Sequence, residues 1–223
     1  MIPRVREPEV MDSAQEAVDY DAMDHSQVNQ VFVDDFLDAA RRAQLDGESV
    51  AVLDVGTGTA QIPVALCRHS EAWHVTAIDL AQHMLRVGRA NVENSGLQQR
   101  IQLESVDAKR MSYEAGLFEV VMSNSIVHHI PHPEEALSEM WRVLRPGGLL
   151  FVRDLLRPGH VDALESLVQQ YAGTENAHQQ QMFRESLHSA LSLEEMAGLL
   201  SDCGLPESWV RQTTDRHWTI CNV

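Results

Sequence analysis

The sequence predicts an α/β protein: a doubly wound, mostly parallel sheet of seven strands. Three observations carry that reading. From Val50 onward, short continuous apolar runs alternate with stretches of helical periodicity, the pattern of parallel strands buried on both faces and joined by helices. A glycine-bearing loop follows the first of those runs, in "VLDVGTGTAQ", at the strand end where open α/β sheets bind their ligands. The last stretch, "SWVRQTTDRHWTICNV", reads as two short strands around Thr214-Asp215, an antiparallel hairpin that completes the sheet.

The elements follow in order. Residues 1–47 are acidic and helical in pattern, with Val28, Val31, Phe32, Phe36 and Ala39 spaced as a stripe that packs on something larger. "VAVLDV" is the first strand, with Ile62, Ala65 and Leu66 at helical spacing after it. "WHVTAID" is the second strand, and "AQHMLRVGRANVENSG" the second helix of the alternating unit, stopped by Gly96. "IQLESVD" and "FEVVMSN" are the third and fourth strands. A helix from Glu134 to Val143 enters at Pro133 and ends before "RPGG", and "LLFVRD" is the fifth strand. After Arg157 the alternation stops. Val161, Leu164, Leu167, Val168 and Tyr171 mark one amphipathic helix, and Phe183, Leu187 and Leu191 another. Ser192 with Glu195 forms the capping box of a third, closed by Gly204. The organisation expected is an N-terminal helical segment, 1–47, beside one domain, 48–223, in which 158–190 is a helical lid or substrate insertion.

Composition narrows the function. The chain has 223 residues with 17 Lys+Arg against 33 Asp+Glu, a net charge of −16. Nucleic-acid binding runs on basic side chains that displace counterions, so this balance disfavours it. No apolar run reaches the ~18 residues that span a bilayer, so no membrane partner is expected. The opening "MIPRVREPEVMDSAQEAVDYD" lacks a signal-peptide core, and the three cysteines, Cys67, Cys203 and Cys221, show no paired spacing. Both point to a reduced, cytoplasmic setting.

The glycine loop admits two ligands. A dinucleotide site would place a third glycine at position 61, for close helix–strand packing and pyrophosphate approach; the residue is Gln61. Asp54, two residues before Gly56, would repel a pyrophosphate and suits a cationic group such as an ammonium. Asp79 ends the second strand 21 residues after Gly58 (79 − 58), where an acid takes ribose hydroxyls under either reading. Asp107 ends the third strand and can accept from an adenine amino group. Strand-end aspartates also cap turns, but three on consecutive strand tips beside a glycine loop point to a ligand.

"VLDVGTGTAQIPVAL", "VTAIDLAQHML", "VDAKRM" and "FEVVMSNSIVHHIPHPEEALSEMWRVLRPGGLLFVRD" together resemble the class I S-adenosylmethionine-dependent methyltransferases of the small-molecule type, over roughly residues 48–157. The resemblance implies their Rossmann-like fold, S-adenosyl-L-methionine as cofactor, and methyl transfer to a small-molecule acceptor. It implies that Asp54, Gly56, Thr57 and Gly58 hold the methionyl amine and back the nucleoside. Asp79 then takes the ribose, Leu80 and Met84 line the adenine, and Asp107 with Ala108 meets its edge. Ser123 and Asn124 fall beside the methionine tail, and Tyr20, with His25, belongs to the segment that closes over the cofactor. The Asn-Pro-Pro-Tyr motif of members that methylate amide or adenine nitrogens is missing from "SNSIVHHIPHP", which agrees with the acidic charge.

Methyl transfer needs alignment and, for some acceptors, a base. His129 or His128 is the candidate base, with Asp154 at the tip of the fifth strand able to orient it. His128, His129, His132 and Asp154 are also ligand types for a metal, but their spacing fits no helical H-x-x-x-H pattern and no residue is assigned to one. Gln179 to Gln181, Arg184 and His188 are candidate substrate contacts on the inserted helices. Two rival readings stay open: an NAD(P)-dependent oxidoreductase, which Asp54 and Gln61 oppose, and an S-adenosylmethionine-binding protein without transferase activity.

Overall fold

A computed structural model describes residues 2–10, 13–45 and 49–223; the boundary expected between residues 47 and 48 lies outside them. Seven strands form one sheet in the order β3-β2-β1-β4-β5-β7-β6. These are β1 (Val50–Val55), β2 (Trp73–Asp79), β3 (Ile101–Ser105), β4 (Phe118–Asn124), β5 (Leu144–Leu155), β6 (Val210–Gln212) and β7 (His217–Cys221). The first five run parallel, while β7 lies antiparallel to both β5 and β6. The order reverses direction between β1 and β4, which makes their carboxyl ends the switch point of the sheet.

The described residues form eight α-helices around the sheet: α1 (Ala14–Ala22), α2 (Ser26–Arg42), α3 (Gln61–His69), α4 (Gln82–Asn94), α5 (Pro133–Val143), α6 (Val161–Ala172), α7 (Ala177–Ser189) and α8 (Leu193–Asp202). One face packs α2 and α3 against Val52, Val120, Met122 and Phe151; the other packs α5 and α8 against Leu53, Val121, Leu150 and Trp218. The buried stripe of α2 is Phe32, Val33, Phe36, Ala39 and Ala40, whereas Val31 is exposed. The buried face is thus turned from the stripe that the sequence spacing predicts, with Val33 in place of Val31. The ring of Phe151 decides the phase, since Phe32 and Phe36 both meet it edge-on, at 5.3 and 5.7 Å.

Two further details differ from the sequence reading. "RPGG" is not a turn ahead of β5 but an excursion inside it, because Phe118 pairs with Leu144 and Val120 with Leu149. Gly148 has to be glycine there, since a Cβ would stand 2.7 Å from the Glu119 carbonyl oxygen. The seventh helix ends at Ser189, so Leu191 leaves the helical stripe and bridges Leu156 instead. The α6–α7 hairpin rests on its own small core of Leu164, Val168 and Leu187 with Leu155 and Ile2.

Candidate cofactor and acceptor site

A cleft of about 1090 Å³, counting its opening to solvent, lies over the carboxyl ends of β1 to β4. Its floor is the loop after β1. The Gly56 and Thr57 N–H groups donate to the Ile78 carbonyl at 2.8 and 2.9 Å, clasping the loop to β2. Gly56 sits at φ +75°, and a Cβ on it would stand 2.3 Å from Ile126 Cδ1, so both the backbone and the space demand glycine. Gly58, at φ +55°, leaves open ground up to the Tyr20 ring, 3.9 Å from where its Cβ would be.

Three acids ring that floor. Asp54 is buried, and burial pushes its carboxyl up to about 7, with the Thr57 hydroxyl pulling it down and the Asp79 charge raising it further. Asp79 lines the cleft and accepts from the Gly58 N–H at 2.8 Å and from the Ala81 N–H at 2.8 Å, which fix the carboxylate at the tip of β2. Asp107 takes the Lys109 N–H at 2.9 Å and pairs with its ammonium at 2.9 Å. Lys109 also pairs with Glu9, and its hydrogen bonds with these two carboxylates hold Asp107 below, and Lys109 above, their ordinary values against desolvation.

The roof comes from the N-terminal segment. Glu9, Val10, Tyr20 and Asn29 line the cleft. Tyr20 is partly buried, and its hydroxyl is pushed up to about 12 by desolvation and by the nearby carboxylates of Asp79, Asp21 and Asp54. The His25 ring packs on it at 4.6 Å without lining the cleft. Gln61 fills the position where a dinucleotide site would carry its third glycine. Its side chain donates to Asp21 Oδ1 at 2.9 Å and accepts from Asn29 at 3.1 Å, while Asn91 donates to the same Asp21 oxygen at 2.9 Å. Gln61 is therefore part of a clamp that ties the roof to the sheet domain. The close packing a third glycine would provide falls to Gly88 on α4, where a Cβ would stand 2.8 Å from Leu103.

The cleft brings together Tyr20, Asp54, Gly56, Thr57, Gly58, Asp79, Leu80, Met84, Asp107, Ala108, Asn124 and His129. It does not bring in Ser123, which is fully buried and donates its hydroxyl to the Val55 carbonyl at 2.8 Å; Ser125 and Ile126 take its place. His128 and Asp154 lie behind the wall. His128 Nδ1 meets Asp154 Oδ1 at 2.5 Å, and its backbone N–H donates to Oδ2 at 3.1 Å. Asp154 keeps the His128 imidazole above its usual value against the pull of burial. His129, on the wall itself, is held down at about 3 by burial and by His128, so at neutral pH it is an uncharged hydrogen-bonding group. Gln179, Gln180, Gln181 and Arg184 serve their own hairpin, in the α7 capping box, at Glu175, and in pairs with Glu185 and Glu165. None of residues 158–190 lines the cleft.

A glycine floor, acids at three strand tips and a roof from the N-terminal segment mark the cleft of a ligand-binding α/β domain. Residues 53–152 match the family model of the methyltransferase domain. A methyltransferase of Streptomyces halstedii is 32% identical over 117 residues, covering 52% of this chain and 42% of that protein. A ubiquinone biosynthesis O-methyltransferase of Xylella fastidiosa is 26% identical over 194 residues, covering 82% of this chain and 77% of that protein. In fold, a Methanococcus maripaludis structure assigned as an S-adenosylmethionine-dependent methyltransferase superposes with a TM-score of 0.71 at 17% identity, over 99% of this chain and 96% of that one. Over residues 53–152 the chain is similar to S-adenosylmethionine-dependent methyltransferase domains, and over nearly its whole length it has their fold. It spans less than half the length of several curated relatives it matches, 42%, 44% and 40% of three of them.

The residues present fit that cofactor. Asp54 brings a buried carboxyl and Asp79 a second carboxylate to the cleft, and the buried Thr59 hydroxyl beside the glycine floor has no hydrogen-bond partner among the described residues.

Proposed function

We propose that the chain transfers a methyl group from S-adenosyl-L-methionine to a small-molecule acceptor. The buried Asp54, facing a cleft whose neighbouring strand tips also carry acids, supports this most directly. An uncompensated carboxylate out of water is costly, and a ligand with a fixed positive charge removes that cost. The bound cofactor supplies an activated methyl, and the chain's own task is placement. Asp54 would fix the amine, Asp79 the ribose and Asp107 with Ala108 the adenine edge, while Leu80 and Met84 pack the base. Asn124, Ser125 and His129 line the same cleft and would meet the acceptor, and Asp154 holds His128 behind them. Closure by Tyr20, Val10 and Glu9 would exclude water and bring acceptor and methyl into line.

The acidic chain argues against a nucleic-acid acceptor, and the Xylella relative is named for ubiquinone biosynthesis, a small-molecule pathway. No described helix is long and apolar enough to cross a membrane, and the three cysteines are unpaired, which suits a reducing cytoplasm. The test has two stages. Isothermal titration with S-adenosylhomocysteine should show one site per chain; absence of binding at millimolar ligand overturns the reading. Labelled S-adenosylmethionine incubated with metabolite extracts should then yield a product heavier by one methyl, and binding without any turnover leaves only a cofactor-binding protein.

A further inference from the structure

Behind the cleft wall, one residue of the N-terminal segment meets the two adjacent histidines. Glu7 Oε1 lies 3.4 Å from His128 Nε2 and 3.6 Å from His129 Nδ1, and all three ligand atoms fall within 4.8 Å of one another. The imidazole rings stand 4.1 Å apart and only 36° from parallel, so both present a nitrogen to the same carboxylate. His128 is buried, 3% exposed, and neither its Nε2 nor His129 Nδ1 has a hydrogen-bond partner among the described residues. We propose that Glu7, His128 and His129 bind a divalent transition-metal cation of the zinc type, with Asp154 orienting His128 and the fourth ligand position left open.

The distances support it. With bonds of about 2.0–2.2 Å and tetrahedral angles, ligand atoms stand roughly 3.3–3.6 Å apart, and the two Glu7 distances fall in that range. Asp154 on Nδ1 of a histidine that offers Nε2 is the carboxylate–histidine–metal arrangement, which fixes the ring and raises its basicity. Two imidazoles and one carboxylate select zinc, cobalt or nickel over magnesium or calcium, which prefer oxygen throughout. The charged groups facing the cluster are Glu7, Asp154 and Arg4. Arg4 donates to the carbonyls of Ser189 and His128, and against two carboxylates it leaves one net negative charge when both imidazoles are neutral. Glu7 also accepts from Ser189 at 2.9 Å, which steadies the ligand oxygen. Glu9 and Val10, just beyond Glu7, line the cleft, so a metal here would pin the roof to the loop after β4. Its open position would take water or an acceptor oxygen.

The site stands apart from the methyl-transfer reading and is tested separately. Untagged, chelator-treated protein at pH 7.5 is titrated with Zn²⁺ by calorimetry, and with Co²⁺ by visible absorption. One ion per chain and a cobalt d–d band are expected. Glu7→Gln and His129→Asn should each weaken binding at least ~10-fold, and Asp154→Asn by roughly 10- to 100-fold. Thermal melts confirm that each variant folds, and His129→Asn serves if Glu7→Gln does not. A Zn²⁺ isotherm unchanged in both Glu7→Gln and His129→Asn overturns the proposal. So does absence of binding, which would leave His128 as an imidazolium between Asp154 and Glu7. Parallel titration with S-adenosylhomocysteine separates the two readings: lost metal with retained nucleoside binding sinks only this one, and the converse sinks only methyl transfer.

Discussion

Replacing Asp54 by Asn should make the ligand-free protein more stable at alkaline pH while crippling cofactor binding. The Asp54 carboxyl rises from 3.8 to about 7 on folding, chiefly through burial. Its folded value lies above its unfolded one, so the folded state binds the extra proton between those limits, and stability falls as pH rises from ~4 to ~7. Three units at 1.36 kcal/mol each put the cost of the ionised, unliganded carboxylate on the order of 4 kcal/mol above pH 7. Asn carries no charge and so escapes this cost, although its buried amide needs partners, a penalty of about 1–3 kcal/mol at any pH. The pH dependence of the difference is therefore the clean quantity. Between pH 5 and pH 8.5 it should move by roughly 2–3 kcal/mol in favour of Asn, or about 5–10 °C in Tm for a chain of this size. Scanning calorimetry of the ligand-free wild type and Asp54→Asn across that range reads it directly, since every other titrating group is shared. S-adenosylhomocysteine affinity at pH 8.5 should fall roughly 10- to 100-fold, the worth of a charge-assisted hydrogen bond. Parallel Tm curves, or an Asn variant that loses ground as pH rises, would refute the argument.

The same carboxyl predicts proton traffic. Below pH 7 Asp54 is protonated in the free protein, and a bound ammonium favours its ionised form, so binding at pH 6 should release a proton and binding at pH 8.5 should not; calorimetry in buffers of different ionisation enthalpy measures this. Asp21→Ala removes the acceptor of both Gln61 and Asn91. Each lost bond is worth about 0.5–1.5 kcal/mol, and the loss should speed proteolysis of the N-terminal segment and weaken S-adenosylhomocysteine binding, with little change in global Tm. Ser123→Ala should lower stability by about 1 kcal/mol through the lost bond to Val55 yet leave nucleoside affinity unchanged in the same titration; a specific loss of affinity would return Ser123 to the cleft.

The floor of the cleft was legible because it is local. Asp54 lies in β1, Asp79 ends β2 and Asp107 comes just after β3, and a parallel strand buried on both faces announces itself as a continuous apolar run. That same continuity hid the orientation of Ser123. β4 is buried throughout Val120–Ser123, so no alternation of polar and apolar residues marks which side chain faces the cleft. The roof was harder for another reason. Glu7, Glu9 and Asp21 meet partners roughly 40 to 120 positions away, at His128, Lys109 and Gln61, and nothing in an acidic stretch, of which residues 2–10 turn out not to be helical, tells a clamping carboxylate from a solvated one. Residues 158–190, placed over the pocket by analogy with inserted helices elsewhere, pack instead as a hairpin with a core of their own.

Gln61 shows how one substitution in a glycine loop can serve two ends. A glycine at that position lets a helix start close under a pyrophosphate. Here α3 opens instead from Ala60 in the left-handed region, at φ +59°, and the residue after it is free to carry a side chain. That side chain reaches the roof rather than the ligand, through Asp21 and Asn29, while Gly88 supplies the close helix packing from α4. The same position that removes the pyrophosphate site thus becomes the latch for the segment that covers the cleft. Gln61→Gly should therefore loosen the roof, read as faster proteolysis of the N-terminal segment, without creating NAD binding in a titration, because Asp54 still lines the cleft.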